Sequence, residues 1–177
     1  MSDANVSVIV DGLVREGRIK PLIVACPDVN SIGIFDEYLP RDIVSFVDKT
    51  FRTIRNRESR AIAGHSNGGI SSLYMALAHP EAFSVAGGFS SYGLESLTMR
   101  LDELVKAHSQ KSYPTRFWLY AGTNDQLGAI YPARDFVAAL KEESLPTEYL
   151  EDDGDHINKV AQRLGDFIEY SAGFLKW

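Results

Sequence analysis

The sequence predicts an α/β fold: a mainly parallel sheet of about five strands with helices on both faces. Two observations predict it. Short runs are apolar throughout, as in Leu22-Ile23-Val24-Ala25-Cys26, Ala61-Ile62-Ala63 and Phe117-Trp118-Leu119-Tyr120, and amphipathic stretches at helical spacing separate them. A strand apolar on both sides is one buried on both sides, which is the situation in a parallel sheet covered by crossover helices. No repeat, low-complexity tract or Pro/Ser-rich linker interrupts the pattern, so residues 1–177 are expected to form one domain.

Val6, Ile9, Val10, Leu13 and Val14 recur at helical spacing, Gly17 lies just beyond them, and Pro21 opens the run Leu22–Cys26 as a first strand. Ile43, Phe46, Val47, Phe51 and Ile54 predict a second helix with Pro40 near its first turn. Ala61-Ile62-Ala63 is a buried strand, and the helix from Gly68 to Ala78 stops at Pro80. The apolar stretch Phe83–Phe89 follows, then a helix near Leu94–Ala107 and a strand at Phe117–Tyr120. Phe136–Leu140 belongs to a helix, Glu148-Tyr149-Leu150 to the last strand, and Val160, Leu164, Phe167 and Ile168 mark the final helix.

Composition narrows the function. Of 177 residues, 18 are Lys or Arg and 24 are Asp or Glu, a formal charge of −6 that argues against a nucleic-acid partner. No apolar run approaches the ~20 residues of a membrane span. The single cysteine, Cys26, leaves no internal disulfide and no cysteine-cluster metal site, and its place in an apolar run predicts burial. The first residues lack a basic start and apolar core, so the cytoplasm is the expected compartment.

In a sheet of this kind, chemistry collects at the loops leaving the C-terminal ends of the strands. The sharpest signal there is Gly64-His65-Ser66-Asn67-Gly68, a G-x-S-x-G between a strand and a helix. A serine on so tight a turn needs small neighbours, and Gly64 and Gly68 are expected to provide them. Ser66 would stand at a helix N-terminus, where free N–H groups favour a developing oxyanion. Of the four histidines, His65 is expected to point into the fold, His79 to cap a helix and His108 to sit in solvent. His156 follows the last strand and is placed to act as a base, although a histidine among acids is also an ordinary surface group. Asp125 follows the preceding strand, where it would orient an imidazole or, more plainly, serve a turn. The carboxylates Glu151, Asp152, Asp153 and Asp155 read as a solvated loop rather than a metal site, able to raise the basicity of His156. Tyr92, Tyr38, Phe35 and Ile130 are candidates for an apolar substrate pocket.

Arg60–Gly69, His79-Pro80-Glu81-Ala82-Phe83, Gly122–Asp125 and Gly154-Asp155-His156, with Gly17–Val24 ahead of them, resemble the branch of the α/β-hydrolases that includes S-formylglutathione hydrolase, feruloyl esterase domains and enterochelin esterases. The chain order Ser66, Asp125, His156 is also the order of that superfamily. The resemblance implies a serine esterase that needs no cofactor or metal and takes small ester or thioester substrates. In it Ser66 is nucleophile, His156 base and Asp125 acid, and the Asn67 amide is one oxyanion donor. It also implies a departure. Members of the family carry further strands ahead, one of which ends in a His-Gly loop supplying a second oxyanion N–H, and no His-Gly pair occurs here. The Asp28-Val29-Asn30-Ser31 loop is the expected substitute, with Asp28 near the substrate. A strand that normally lies between Leu22–Cys26 and Ala61–Ala63 is expected to be missing. The two runs are then expected to pair directly, leaving Leu22–Cys26 as an edge that a second copy covers in a homo-oligomer. The alternative is a noncatalytic α/β module that keeps the motif without a complete oxyanion hole.

Overall fold

The computed structural model describes residues 5–27, 38–91, 98–110, 112 and 114–177. Its four strands, β1 Ala61–His65, β2 Val85–Phe89, β3 Arg116–Gly122 and β4 Thr147–Asp152, lie side by side in that order. All pairs are parallel, with Ala61 opposite Val85, Val85 opposite Arg116 and Phe117 opposite Thr147. The helices are α1 Val6–Arg15, α2 Val44–Thr50, α3 Asn67–Ala78, α4 Thr98–Ser109, α5 Ile130–Glu142 and α6 Val160–Ala172.

The period-two geometry of a strand divides the core in two. On β3, Phe117 and Leu119 meet Leu73 and Leu77 of α3, Val105 of α4 and Phe136, Val137 and Leu140 of α5. Trp118 and Tyr120 point the other way, into a cluster with Val10 and Leu13 of α1 and Leu164, Phe167 and Ile168 of α6. Both faces are therefore covered, as the apolar runs require. On β2, Gly87 and Gly88 let the helices close in, because a Cβ would lie 2.7 Å from the Phe167 ring at the first and 2.7 Å from Leu73 at the second.

The sheet has four strands because Leu22–Cys26 does not join it. Among the described residues that run makes no ladder, and Ile23 is 50% and Val24 44% exposed. The expected direct pairing with Ala61–Ala63 is not made. Instead, a cleft of about 740 Å³ lies between them, lined by Leu22–Cys26, Val47, Ile62, Met75 and Phe167. Val10, Leu13 and Ile19 anchor the preceding segment against α6, and this sets where the run emerges. Pairing was expected because buried backbone groups need partners, but an open cleft lets water satisfy them. Cys26 is accordingly exposed rather than buried.

The second helix is also shorter than its apolar spacing suggests. A π-helical turn at Tyr38–Ile43 precedes α2, and the chain is extended from Phe51. There the Asp48 carboxylate accepts from Thr53 Oγ1 at 2.7 Å and from Arg60 at 2.6 Å, turning the chain back toward β1. Among the described residues no helix is long and apolar enough to cross a membrane.

Candidate active site

The C-terminal ends of β1, β3 and β4 bring three polar segments to one edge of the sheet. Ser66 follows β1 and caps α3 with φ 55° and ψ −122°, a conformation L-residues rarely adopt. Backbone contacts hold it there: its N–H donates to Phe89 O at 2.9 Å, and its carbonyl accepts from Gly69 N at 2.9 Å and Ile70 N at 3.1 Å. Close approach of strand and helix demands Gly64, where a Cβ would stand 2.2 Å from the Gly68 carbonyl oxygen. Gly68 is different from the expectation, since a Cβ there would meet nothing within 4 Å. The Asn67 N–H opens the first turn of α3, where no intrahelical acceptor is in reach.

Asp125 lies on the turn after β3, with its side chain fully buried. Its Oδ1 accepts from Leu127 N at 2.9 Å, and its Oδ2 is 2.8 Å from His156 Nδ1. A carboxylate only accepts, so Nδ1 carries the hydrogen, and it is Nε2 that keeps a lone pair in the neutral ring. The two loops are stitched together: Thr123 N donates to Asp152 O at 2.7 Å, Asn124 N to Gly154 O at 3.0 Å, and Asn124 Nδ2 to Asp153 O at 2.8 Å. Gly122 permits this, because a Cβ would lie 2.1 Å from the Gly154 oxygen.

His65 does not point into the core as expected. Its Nε2 is 2.7 Å from the His156 carbonyl oxygen, and the two imidazole centroids are 4.7 Å apart. Burial holds its pKa below the ordinary histidine value. The structure thus joins Asp125 to His156 directly and sets Ser66 beside a residue that touches His156. Among the described residues, Ser66 Oγ makes no hydrogen bond to His156.

The acidic loop is a set of pairs rather than a solvated cluster. Glu151 is bidentate to Arg134 at 2.7 Å, and that bond carries its pKa down to about 2. Burial alone would raise the Asp152 pKa. Hydrogen bonds from Tyr120 OH at 2.8 Å, Arg163, Gly154 N at 2.9 Å and Lys159 instead hold it well below the usual range. Asp155 accepts from the N–H groups of Ile157 and Asn158, both at 2.7 Å. Among the described residues no group of acidic, histidine or cysteine side chains has the arrangement of a metal site.

Three further expectations are corrected or fall elsewhere. Ile130 is a core residue, 7% exposed and clustered with Ala121 and Ala133. Leu127, whose N–H binds Asp125, and Ile157, next to His156, expose apolar side chains at 48% and 64%, and nothing in the apolar periodicity singled them out. His108 is 1% exposed, with Nε2 accepting from Thr115 N at 2.9 Å, so it holds a loop rather than facing water. Asp28 and Tyr92 lie outside the described residues, as do Phe35 and the Asp28–Ser31 loop.

Comparisons with known proteins bear on the family and the fold. Over 92 residues the chain is 33% identical to an endo-1,4-beta-xylanase/feruloyl esterase of Xylanibacter ruminicola, matching 45% of this chain and 13% of that one. The chain therefore spans only a small part of that curated relative. A ferulic acid esterase of Anaeromyces mucronatus superposes with TM-score 0.74 at 20% identity, covering 95% of this chain and 71% of that one. An S-formylglutathione hydrolase of Staphylococcus aureus does so with TM-score 0.63 at 21% identity, covering 73% and 57%. At these identities the two structures speak for the fold, which is that of the α/β-hydrolases. Residues 6–160 match the family described as Putative esterase, and the chain belongs to that family.

Proposed function

We propose that the protein is a serine esterase that hydrolyses small carboxylic esters through an acyl-enzyme. The observation that carries this reading is the 2.8 Å contact between Asp125 Oδ2 and His156 Nδ1, which leaves Nε2 free to accept a proton at the sheet edge that carries Ser66. Ser66 Oγ attacks the ester carbonyl as His156 Nε2 takes its proton, and Asp125 holds the tautomer and faces the imidazolium that forms. The carbonyl oxygen becomes an oxyanion, met by the Asn67 N–H and the α3 N-terminus. His156 then returns the proton to the departing alcohol. Water, deprotonated by the same nitrogen, releases the acid and restores Ser66. The absence of a Ser66–His156 hydrogen bond is consistent with this, because catalytic hydrogen bonds are often long in the free enzyme and tighten around substrate.

Leu127 and Ile157 favour an ester whose acyl or alcohol part is apolar. An aromatic acid, as the names of the relatives suggest, is the first choice to try, and a thioester is chemically adjacent. The test is labelling by a fluorophosphonate together with hydrolysis of p-nitrophenyl acetate and methyl ferulate, each beside Ser66→Ala and His156→Ala. Labelling and turnover that vanish in Ser66→Ala are expected. No labelling and no Ser66-dependent turnover would leave the noncatalytic module as the better account. We also propose that a second copy covers the free backbone edges beside the cleft.

A further inference from the structure

We infer that His65 is a positioning residue for His156, tying the turn that carries the nucleophile to the loop that carries the base. The inference rests on the reading of Ser66, His156 and Asp125 given above. The strand order places β1 and β4 at opposite edges of the sheet. At about 4.8 Å per step, three steps set those strands roughly 14 Å apart, beyond the reach of any ladder hydrogen bond. The loop after β4 crosses back over most of that span, bonded on its way to the loop after β3, and the side chain of His65, the last residue of β1, meets it from the position next to Ser66.

Its contact has two parts. Nε2 lies 2.7 Å from the His156 carbonyl oxygen, and because a carbonyl only accepts, Nε2 carries the hydrogen and donates it. The His65 ring also lies against the His156 ring, centroids 4.7 Å apart and planes tilted by 53°. Asp125 fixes the orientation of the His156 ring through Nδ1, while His65 fixes the backbone from which that ring hangs. Burial favours the neutral form of His65. That suits the chemistry, since His156 becomes a cation when it takes the Ser66 proton, and a second cation beside it would oppose the transfer.

The experiment compares wild type with His65→Gln, His65→Phe and Ser66→Ala. It measures kcat and KM for p-nitrophenyl acetate, thermal melting, and the downfield proton NMR signal of the His156 Nδ1–H. His65→Phe keeps the ring and loses the donor; we expect kcat to fall about 10- to 100-fold, KM to stay near wild type and the Nδ1 proton signal to broaden. His65→Gln keeps an N–H donor and should restore most of kcat and the signal. Wild-type kcat in a cooperatively melting His65→Phe would overturn the inference. So would a His65→Gln protein that melts normally yet is as slow as His65→Phe. If His65→Phe does not fold, His65→Met serves as the donor-free variant under the same criteria. Failure of the underlying reading looks different: Ser66→Ala would then turn over substrate like wild type, whatever the His65 variants do.

Discussion

Gly64 and Gly68 flank Ser66 alike in the sequence but meet different surroundings. A Cβ on Gly64 would press into helix backbone, whereas one on Gly68 would enter open space. Gly64→Ala should therefore lower the free energy of unfolding by about 1–3 kcal/mol, because backbone atoms must shift to admit the methyl. Gly68→Ala should leave stability unchanged or raise it by about 0.5–1 kcal/mol, since alanine is the better helix residue. Urea titrations of the two variants decide this, and equal losses would contradict the packing described here. At the same scale, Asp125→Asn replaces an acceptor that sets the His156 tautomer with an amide able to support the wrong one. A loss of kcat on the order of 10³- to 10⁴-fold is expected, with native melting behaviour. Retained activity would remove Asp125 from the mechanism.

The end of β4 is an element held by charge. Asp152 gathers Tyr120, Gly154, Arg163 and Lys159 just before the loop that carries His156, and Glu151 beside it binds Arg134. Both carboxyls have folded-state pKa values below their unfolded ones. Each thus releases its proton more readily when folded, and contributes stability that is complete above about pH 5 and is lost as pH falls through the folded values. Urea midpoints should be level from pH 7 to 5 and decline toward pH 3. Asp152→Asn should be less stable than wild type at pH 7, and the gap should narrow toward pH 3 as the carboxyl of the unfolded wild-type chain takes up its proton. A gap that stays constant with pH would show that the Asp152 charge does not act as described.

Across the whole molecule, the defining feature is an incomplete sheet edge. One wall of the 740 Å³ cleft is the outer side of β1 and the other is the Leu22–Cys26 run, with no ladder between them. The cleft passes Gly68, Ser71 and Ser72 along α3 but is not lined by Ser66, Asp125 or His156, so it is a separate feature from the candidate active site. Free strand edges with apolar side chains recruit other strands. Light scattering at micromolar concentration should show a dimer or larger species, reduced to monomer by Val24→Lys. A monodisperse wild-type monomer would refute the second-copy proposal. Because Cys26 sits exposed on the same run, Ellman's reagent should titrate it without denaturant. A thiol that reacts only after unfolding would place the run elsewhere.

The sheet, its helices and the three loops that carry Ser66, Asp125 and His156 were legible because local patterns encode them. Apolar runs mark strands buried on both faces, 3.6-residue spacing marks the helices, and glycines bracket the tight turn. What local patterns do not encode is which distant surfaces meet. The reach of His65 to His156, the pairing of Glu151 with Arg134 and the packing of His108 against Leu77 depend on contacts between residues well separated in the chain. The position of Leu22–Cys26 shows the division most clearly. Its apolar composition marks a strand-forming run, but a strand exists only where a partner edge lies within hydrogen-bonding distance, and the docking of α1 on α6 decides that distance.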